Sequence, residues 1–148
     1  VSTDSHLPPN PQGDYATAVV HAGVAYSAGM TPRRHGQLTI TGVVGSTVSV
    51  EQAHAAARLA AANAVAAVRA VLPTDADVRC LRMSVYIACA SDFHDLSAVA
   101  DGASDAIVAT LGSHALPARS AIGVRCLPSG APVEVELVAA SVLPSASI

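Results

Sequence analysis

The sequence predicts an α+β domain in which two helices pack on one face of a mixed sheet. Three observations carry this reading. Short stretches of alternating apolar and polar residues, closed by Gly or Pro, stand at both ends of the chain and read as strands. Two helical runs, after Ser49 and after Asp92, lie between them. The connections are short, so the order β-β-(β)-α-β-α-β-β suits one layer of helices on one sheet. At 148 residues the chain is one domain's worth, enough to bury a core without staples.

Residues 1–13 hold three prolines among polar residues and predict a flexible lead-in. The domain then runs over 14–143, with order starting near Asp14-Tyr15, and 144–148 is expected to be a flexible tail. Thr17 to His21 and Val24 to Ala28 flank Ala22-Gly23, which suggests a hairpin with Gly supplying the positive φ. Gly29-Met30-Thr31-Pro32 ends the second strand. Arg33 to Gln37 is polar and reads as a loop, and Leu38 to Val43 as a short third strand weakened by Gly42 and Gly45.

Ser49-Val50-Glu51-Gln52 fits a capping box, and Glu51 suits the positive end of the helix dipole. The alanine-rich helix continues to Leu72, where Pro73 stops it. Leu59, Val65, Val68 and Leu72 form a thin stripe, so this helix can lie very close to a sheet. Val78 to Ala88 alternates as a long strand, with Leu81 and Tyr86 breaking the pattern as a strand covered on both faces would. Asp92 and Asp95 offer caps for a second helix to about Leu111, closed by Gly112. Gly102 inside it costs about 1 kcal/mol against alanine. Residues 117–128 and 133–142 read as two strands around a Leu-Pro-Ser-Gly-Ala-Pro corner.

Composition excludes several functions. The net charge is −3 and all eight basic residues are scattered arginines, so there is no electrostatic footprint for nucleic acid. With no lysine, the chain offers no Schiff-base, pyridoxal-phosphate or P-loop lysine. Cys80, Cys89 and Cys126 show no CxxC spacing and read as small buried thiols in a reducing interior. No signal-peptide pattern is evident, and the apolar run near 55–72 is interrupted by Arg58, Asn63 and Arg69, so no membrane span is expected. These features together predict a cytoplasmic protein. The six histidines show no ligand spacing, so no metal is expected. A chain 51% hydrophobic and only 13% charged favours self-association, although alanine inflates that figure.

Arg119 and the pair Glu134 and Glu136 are the candidates to carry chemistry, the glutamates also fitting one solvated strand face. A guanidinium matches a carboxylate with paired donors, each charge-assisted bond contributing about 1.5–3 kcal/mol. The same arginine also fits a structural ion pair with Glu136 or Asp105. Glu134 and Glu136 share one face of a strand, and a partly buried member of such a pair should hold its proton more tightly, as a general acid or base needs. Arg33, Arg34 and His35 could meet an anion, or form a solvated loop. On the two-strand reading, Arg119 and Glu134 sit on adjacent strands and can face one small polar ligand together.

Pro117-Ala118-Arg119-Ser120-Ala121 followed by Leu127-Pro128-Ser129-Gly130-Ala131-Pro132-Val133-Glu134-Val135-Glu136 resembles the C-terminal signature of the Rid family, also called YjgF/YER057c/UK114. The likeness extends upstream through Asp101-Gly102-Ala103-Ser104-Asp105 to Tyr15, and the Gly-Ala-Ser-Asp segment is closer to the divergent, chorismate-mutase-like branch. The resemblance implies a chorismate-mutase-like fold and a homotrimer with ligand sites in the clefts between subunits. It assigns Arg119 to the substrate carboxylate and Glu134 to catalysis. Tyr15 then closes the pocket and Gly29 brings backbone close to the ligand, with Ala121 in the pocket wall. It also implies imine deamination, 2-imino acid to 2-oxo acid and ammonia, with no metal or cofactor. Three positions depart from the archetype: Ala121 stands where Cys is frequent, and Ala28 and Met30 flank Gly29 where Ser-Gly-Gln is. A non-catalytic trimeric binding module for a small carboxylate is therefore the alternative. The ribonuclease activity attached to some members is weakest here, for want of a basic patch or an aromatic stacking set.

Overall fold

A computed structural model of the chain describes residues 6–142. The start of the expected lead-in (1–5), residue 143 and the expected tail at 144–148 lie outside the described residues. Strands β1 (Ala18–His21) and β2 (Val24–Ser27) form the expected hairpin, with Ala18 opposite Ser27 and His21 opposite Val24. Its turn needs positive φ at both central residues, 50° at Ala22 and 77° at Gly23, the type I′ geometry that matches strand twist. Alanine thus shares the strain assigned to glycine alone.

The polar segment expected to be a loop is a second, minimal hairpin: β3 (Arg33–Arg34) and β4 (Gln37–Leu38) turn over His35-Gly36, again with both φ positive. The third strand expected over Leu38–Val43 is absent. The chain instead folds back on itself around Thr47, whose hydroxyl accepts from the Val43 N–H at 2.9 Å, and Gly42 sits at φ 133°. Val44 then makes isolated bridges to Val48 and Cys89.

Helix α1 (Val50–Val71) opens on the expected capping box: Gln52 N–H donates to Ser49 Oγ at 3.1 Å, and Ser49 N–H donates to Gln52 Oε1 at 2.9 Å. It ends because Leu72, preceding Pro73, is extended at φ −93°, ψ 159°. The residues it buries are chiefly alanines, among them Ala53, Ala57, Ala60, Ala61 and Ala64, with Val65 and Val68; Leu59 of the expected stripe stays half-buried. Each alanine methyl adds only about 0.8 kcal/mol on burial, but a face without bulk lets neighbours approach closely.

Strand β5 (Asp77–Ala88) is followed by α2 (Leu96–Leu111), β6 (Ala118–Val124) and β7 (Val133–Val142). The five-stranded sheet runs β1-β2-β7-β5-β6, with β5 and β6 parallel and the other neighbours antiparallel. Buried positions along β5 switch from Val78 and Cys80 to Met83, Val85 and Ile87, because a bulge between Cys80 and Arg82 leaves Leu81 unpaired and exposed. The break expected from two-sided cover is a bulge. Asp95 caps α2 by position, without a side-chain hydrogen bond.

Both helices lie on one face, over Met83, Val85, Ile87, Val133, Val135 and Leu137. The opposite face bears Val19, Tyr26, Val138, Tyr86, Glu134, Glu136 and Ile122, and no described element covers it. One expectation fails here in a way that matters. β6 and β7 are not neighbours, for β5 lies between them, and the 3-10 turn at Pro128–Gly130 carries the chain across to its far side.

Candidate functional site

Two half-sites emerge, on opposite faces of the sheet. The first gathers around Glu134. Strand alternation turns Val133 and Val135 toward the helices and Glu134 and Glu136 to the open face. After β2 the chain runs beside β7, with Met30 bridged to Val135 in both directions at 2.8 Å, so the Gly29 backbone lies on the Glu134 side chain. A methyl group at Gly29 would stand 2.6 Å from the Glu134 carboxyl carbon and 2.9 Å from its Cγ. No positive φ requires a glycine here; the space does.

Glu134 is half-buried, and that burial, then the charge of Glu136, push its carboxyl above the usual range. Tyr86, opposite Glu134 on β5, donates its hydroxyl to Glu136 Oε1 at 2.7 Å. That bond, then burial and the Glu136 charge, raise the phenol. Tyr15 reaches the same region from outside the sheet. It lines a pocket of about 20 Å3 with Thr17, Gly29, Met30, Thr31 and Arg33, and its hydroxyl accepts from the Gln12 N–H at 3.0 Å. The pocket has room for about one water.

The second half-site is built on β6 and α2. Arg119 and Ala121 pair with Met83 and Val85, so they face the helices. Arg119 is held by α2: Nη1 donates to Asp101 Oδ1 and to Ser104 Oγ, both at 2.8 Å, and Nη2 donates to Ser97 Oγ at 3.0 Å. Its ion-pair partner is thus Asp101, whereas the sequence suggested Glu136 or Asp105; Asp105 meets His54 at 3.2 Å. Further along β6 a surface depression of about 630 Å3 opens between Cys89, Phe93, Leu96, Gly123 and Arg125.

Arg119 and Glu134 therefore do not face one ligand within a single chain. Arg119 is level with Met83 and Glu134 with Tyr86, two strand spacings across and three residues along, which puts their Cα atoms about 14 Å apart. Gly29 lies beside Tyr15 in one pocket and against the Glu134 side chain; Arg119 and Ala121 lie elsewhere, on β6. Sequence reasoning missed Ser97, Asp101 and Ser104 as partners of Arg119, although their spacing of four and three on an apolar helix was a signal. It also passed over Tyr86, noticed only as a break in alternation.

The structure also bears on the Arg33 turn and the cysteines. Arg33 is occupied, donating to Thr31 Oγ1, Gly36 O and Ser129 Oγ, which leaves the Arg33-Arg34-His35 turn a poor anion site. Cys80 is buried, its thiol pushed up to about 11 by that burial, but Cys89 is half-buried and Cys126 exposed, because the latter lies beyond the end of β6. Among the described residues no three His, Cys, Asp or Glu side chains could hold a metal ion together, and no helix is long and apolar enough to cross a membrane.

A family model, a sequence relative and solved structures are similar to the chain. The family model described as endoribonuclease L-PSP matches residues 6–141. The Trypanosoma cruzi protein TCP17 is 33% identical over 128 residues, spanning 85% of this chain and 80% of that protein. A crystal structure of an Agrobacterium tumefaciens protein superposes with a TM-score of 0.81 at 29% identity, covering 90% of this chain and 86% of that one. Escherichia coli TdcF, crystallised with bound serine, shares the fold with a TM-score of 0.64 at 20% identity, covering 93% and 95%.

Proposed function

The chain belongs to the Rid/YjgF superfamily, and from that premise we propose that it is an enamine/imine deaminase-like hydrolase, converting small 2-imino acids and water to 2-oxo acids and ammonia. The observation that carries this reading is Glu134: a half-buried carboxyl that holds its proton more tightly than an exposed one, seated against bare backbone at Gly29. A group of that kind can give a proton to an imine nitrogen and, as the carboxylate, take one from the water that attacks the C=N carbon. Returning that proton to nitrogen, and taking the proton of the new C–OH group as the C–N bond breaks, releases ammonia, leaves the 2-oxo acid and restores the protonated carboxyl. Arg119 anchors the substrate carboxylate, with Ala121 beside it in the pocket wall and Tyr15 closing the Glu134 side. Because the imine is already electrophilic, the scheme uses neither metal nor cofactor. The acid–base contribution is worth about 10²–10⁴-fold.

The working unit in this reading is a homotrimer in the cytoplasm. Arg119 of one copy then faces Glu134 of the next, the arrangement that unites half-sites lying about 14 Å apart on opposite faces of one sheet. The uncovered sheet face, with Val19, Tyr26 and Ile122 exposed, supports association between copies.

A second reading, a trimeric binding module for a small carboxylate, is favoured by Ala121 and Met30, where the archetype carries Cys and Gln. The serine bound to TdcF suits either reading, since both need an amino-acid-like carboxylate at Arg119. The test is ammonia release from freshly generated 2-iminopropanoate and 2-iminobutanoate. Acceleration by the wild type, lost in both Arg119→Ala and Glu134→Gln, is the expected result. Folded protein that gives no acceleration but binds small carboxylates through Arg119 would replace the enzyme with the binding module.

A further inference from the structure

We infer that Ser97, Asp101 and Ser104 are positioning residues for Arg119, a polar stripe of α2 that fixes the direction in which the guanidinium meets a ligand carboxylate. The inference rests on the carboxylate-clamp reading of Arg119 given above. Residues 97, 101 and 104 are spaced by four and three, so they share one face of the helix. α2 carries five polar side chains, and these three converge on one group. Of the other two, Asp105 meets His54, and Thr110 bonds back to the Ala106 carbonyl.

Donor counting shows what the stripe leaves over. A guanidinium has five N–H groups. Asp101 and Ser104 take both on Nη1, and Ser97 takes one on Nη2. The Nε–H and the second Nη2–H remain, and one carboxylate can accept both. Arg119 is held but not sealed off: its side chain is 21% exposed, and that of Asp101 62%. An ion pair with so exposed a carboxylate adds little to stability. Its use is orientation. A long, rotamer-rich side chain fixed before the ligand arrives loses less freedom on binding.

The experiment compares wild type with Asp101→Ala, Asp101→Asn, Ser97→Ala/Ser104→Ala and Arg119→Ala. It measures 2-oxobutanoate binding by calorimetry, KM and kcat on 2-iminobutanoate, and thermal unfolding. Asp101→Ala should weaken binding and raise KM about tenfold, the scale of one charge-assisted hydrogen bond, with kcat and the melting temperature little changed. Asp101→Asn, which keeps an acceptor oxygen, should recover most of the affinity. The double serine variant should fall between, and it carries the test if Asp101→Ala does not fold. Loss of 2-oxobutanoate binding in Arg119→Ala but not in Asp101→Ala or the serine variant would sink the inference and leave the clamp standing. Equal losses in Asp101→Asn and Asp101→Ala would also overturn it, since charge rather than acceptor geometry would then be acting. If Arg119→Ala binds as the wild type does, the clamp itself fails and the positioning role falls with it.

Discussion

Two glycines, Gly29 and Gly102, stand where backbone conformation does not call for glycine, and both are there for space. At Gly102 the space is taken by backbone: a methyl group would stand 2.8 Å from the carbonyl carbon of His54 and 3.1 Å from its Cα, at the seam where α2 crosses α1. At Gly29 it is taken by the far end of the Glu134 side chain. The seam is rigid and the carboxylate can swing. The same residue type therefore spaces two helices in one region and seats a carboxylate in the other, and the two uses separate on substitution.

The sharpest separation comes from Gly29→Ala. The added methyl displaces the Glu134 carboxylate from its seat, and rotation of that side chain absorbs most of the strain. Turnover of 2-imino acids should fall by about 10²-fold or more, toward the level of Glu134→Gln, because acid–base help of that size depends on placement. Thermal unfolding should barely move. A variant that unfolds many degrees lower would mean that Gly29 is a structural residue like Gly102, and the contrast would be gone.

Gly102→Ala should do the reverse. Alanine is the better helix former by about 1 kcal/mol, yet here it must push two helix backbones apart, and overpacking of this kind costs about 1–3 kcal/mol. What the methyl meets is the His54 backbone, which has no flexible end to yield. The expected result is a lower denaturation midpoint with turnover per folded molecule preserved. A stabilised Gly102→Ala would show that the helices part readily, and that close packing is not what the alanine-rich face of α1 secures.

These two glycines also mark how far the sequence could be read. The hairpin at Ala22-Gly23, the capping box at Ser49, the stop before Pro73 and the span of β7 rest on local chemistry, and local chemistry is legible. The seam was half legible. The thin apolar stripe among alanines suggested a helix lying close to a sheet, and nothing in the sequence said that the close approach is to α2, where Gly102 meets His54. The segment over Leu38–Val43 misled because its apolar alternation suits a strand while the Thr47 hydroxyl imposes a turn. Arg119 and Glu134 could be picked out by residue type and by their resemblance to a family signature. Their separation could not, since strand order depends on where the α2 crossover places β6. The bulge at Leu81 was equally hidden, one extra residue being indistinguishable from an irregular pattern.

The smallest effect concerns the cost of keeping Glu134 as it is. Burial, and then the charge of Glu136, make the folded protein hold the Glu134 proton more tightly than the unfolded chain does. From the ordinary glutamate value of about 4.3 up to the raised one, the unfolded chain has released this proton while the folded protein retains it. Stability falls as pH rises through that window and stays lower above it. Glu134→Gln has no such proton to lose. It should be more stable than wild type at neutral pH and converge with it below about pH 4, the opposite of what removing a well-paired carboxylate does. Glu136→Gln removes the second cause but leaves an acceptor for Tyr86, so it should recover part of that gain. Melting temperatures of the three proteins across this pH range decide the matter. Coincident curves would mean that Glu134 ionises in the fold as freely as in water, and the proton-holding role assigned to it would lose its physical basis.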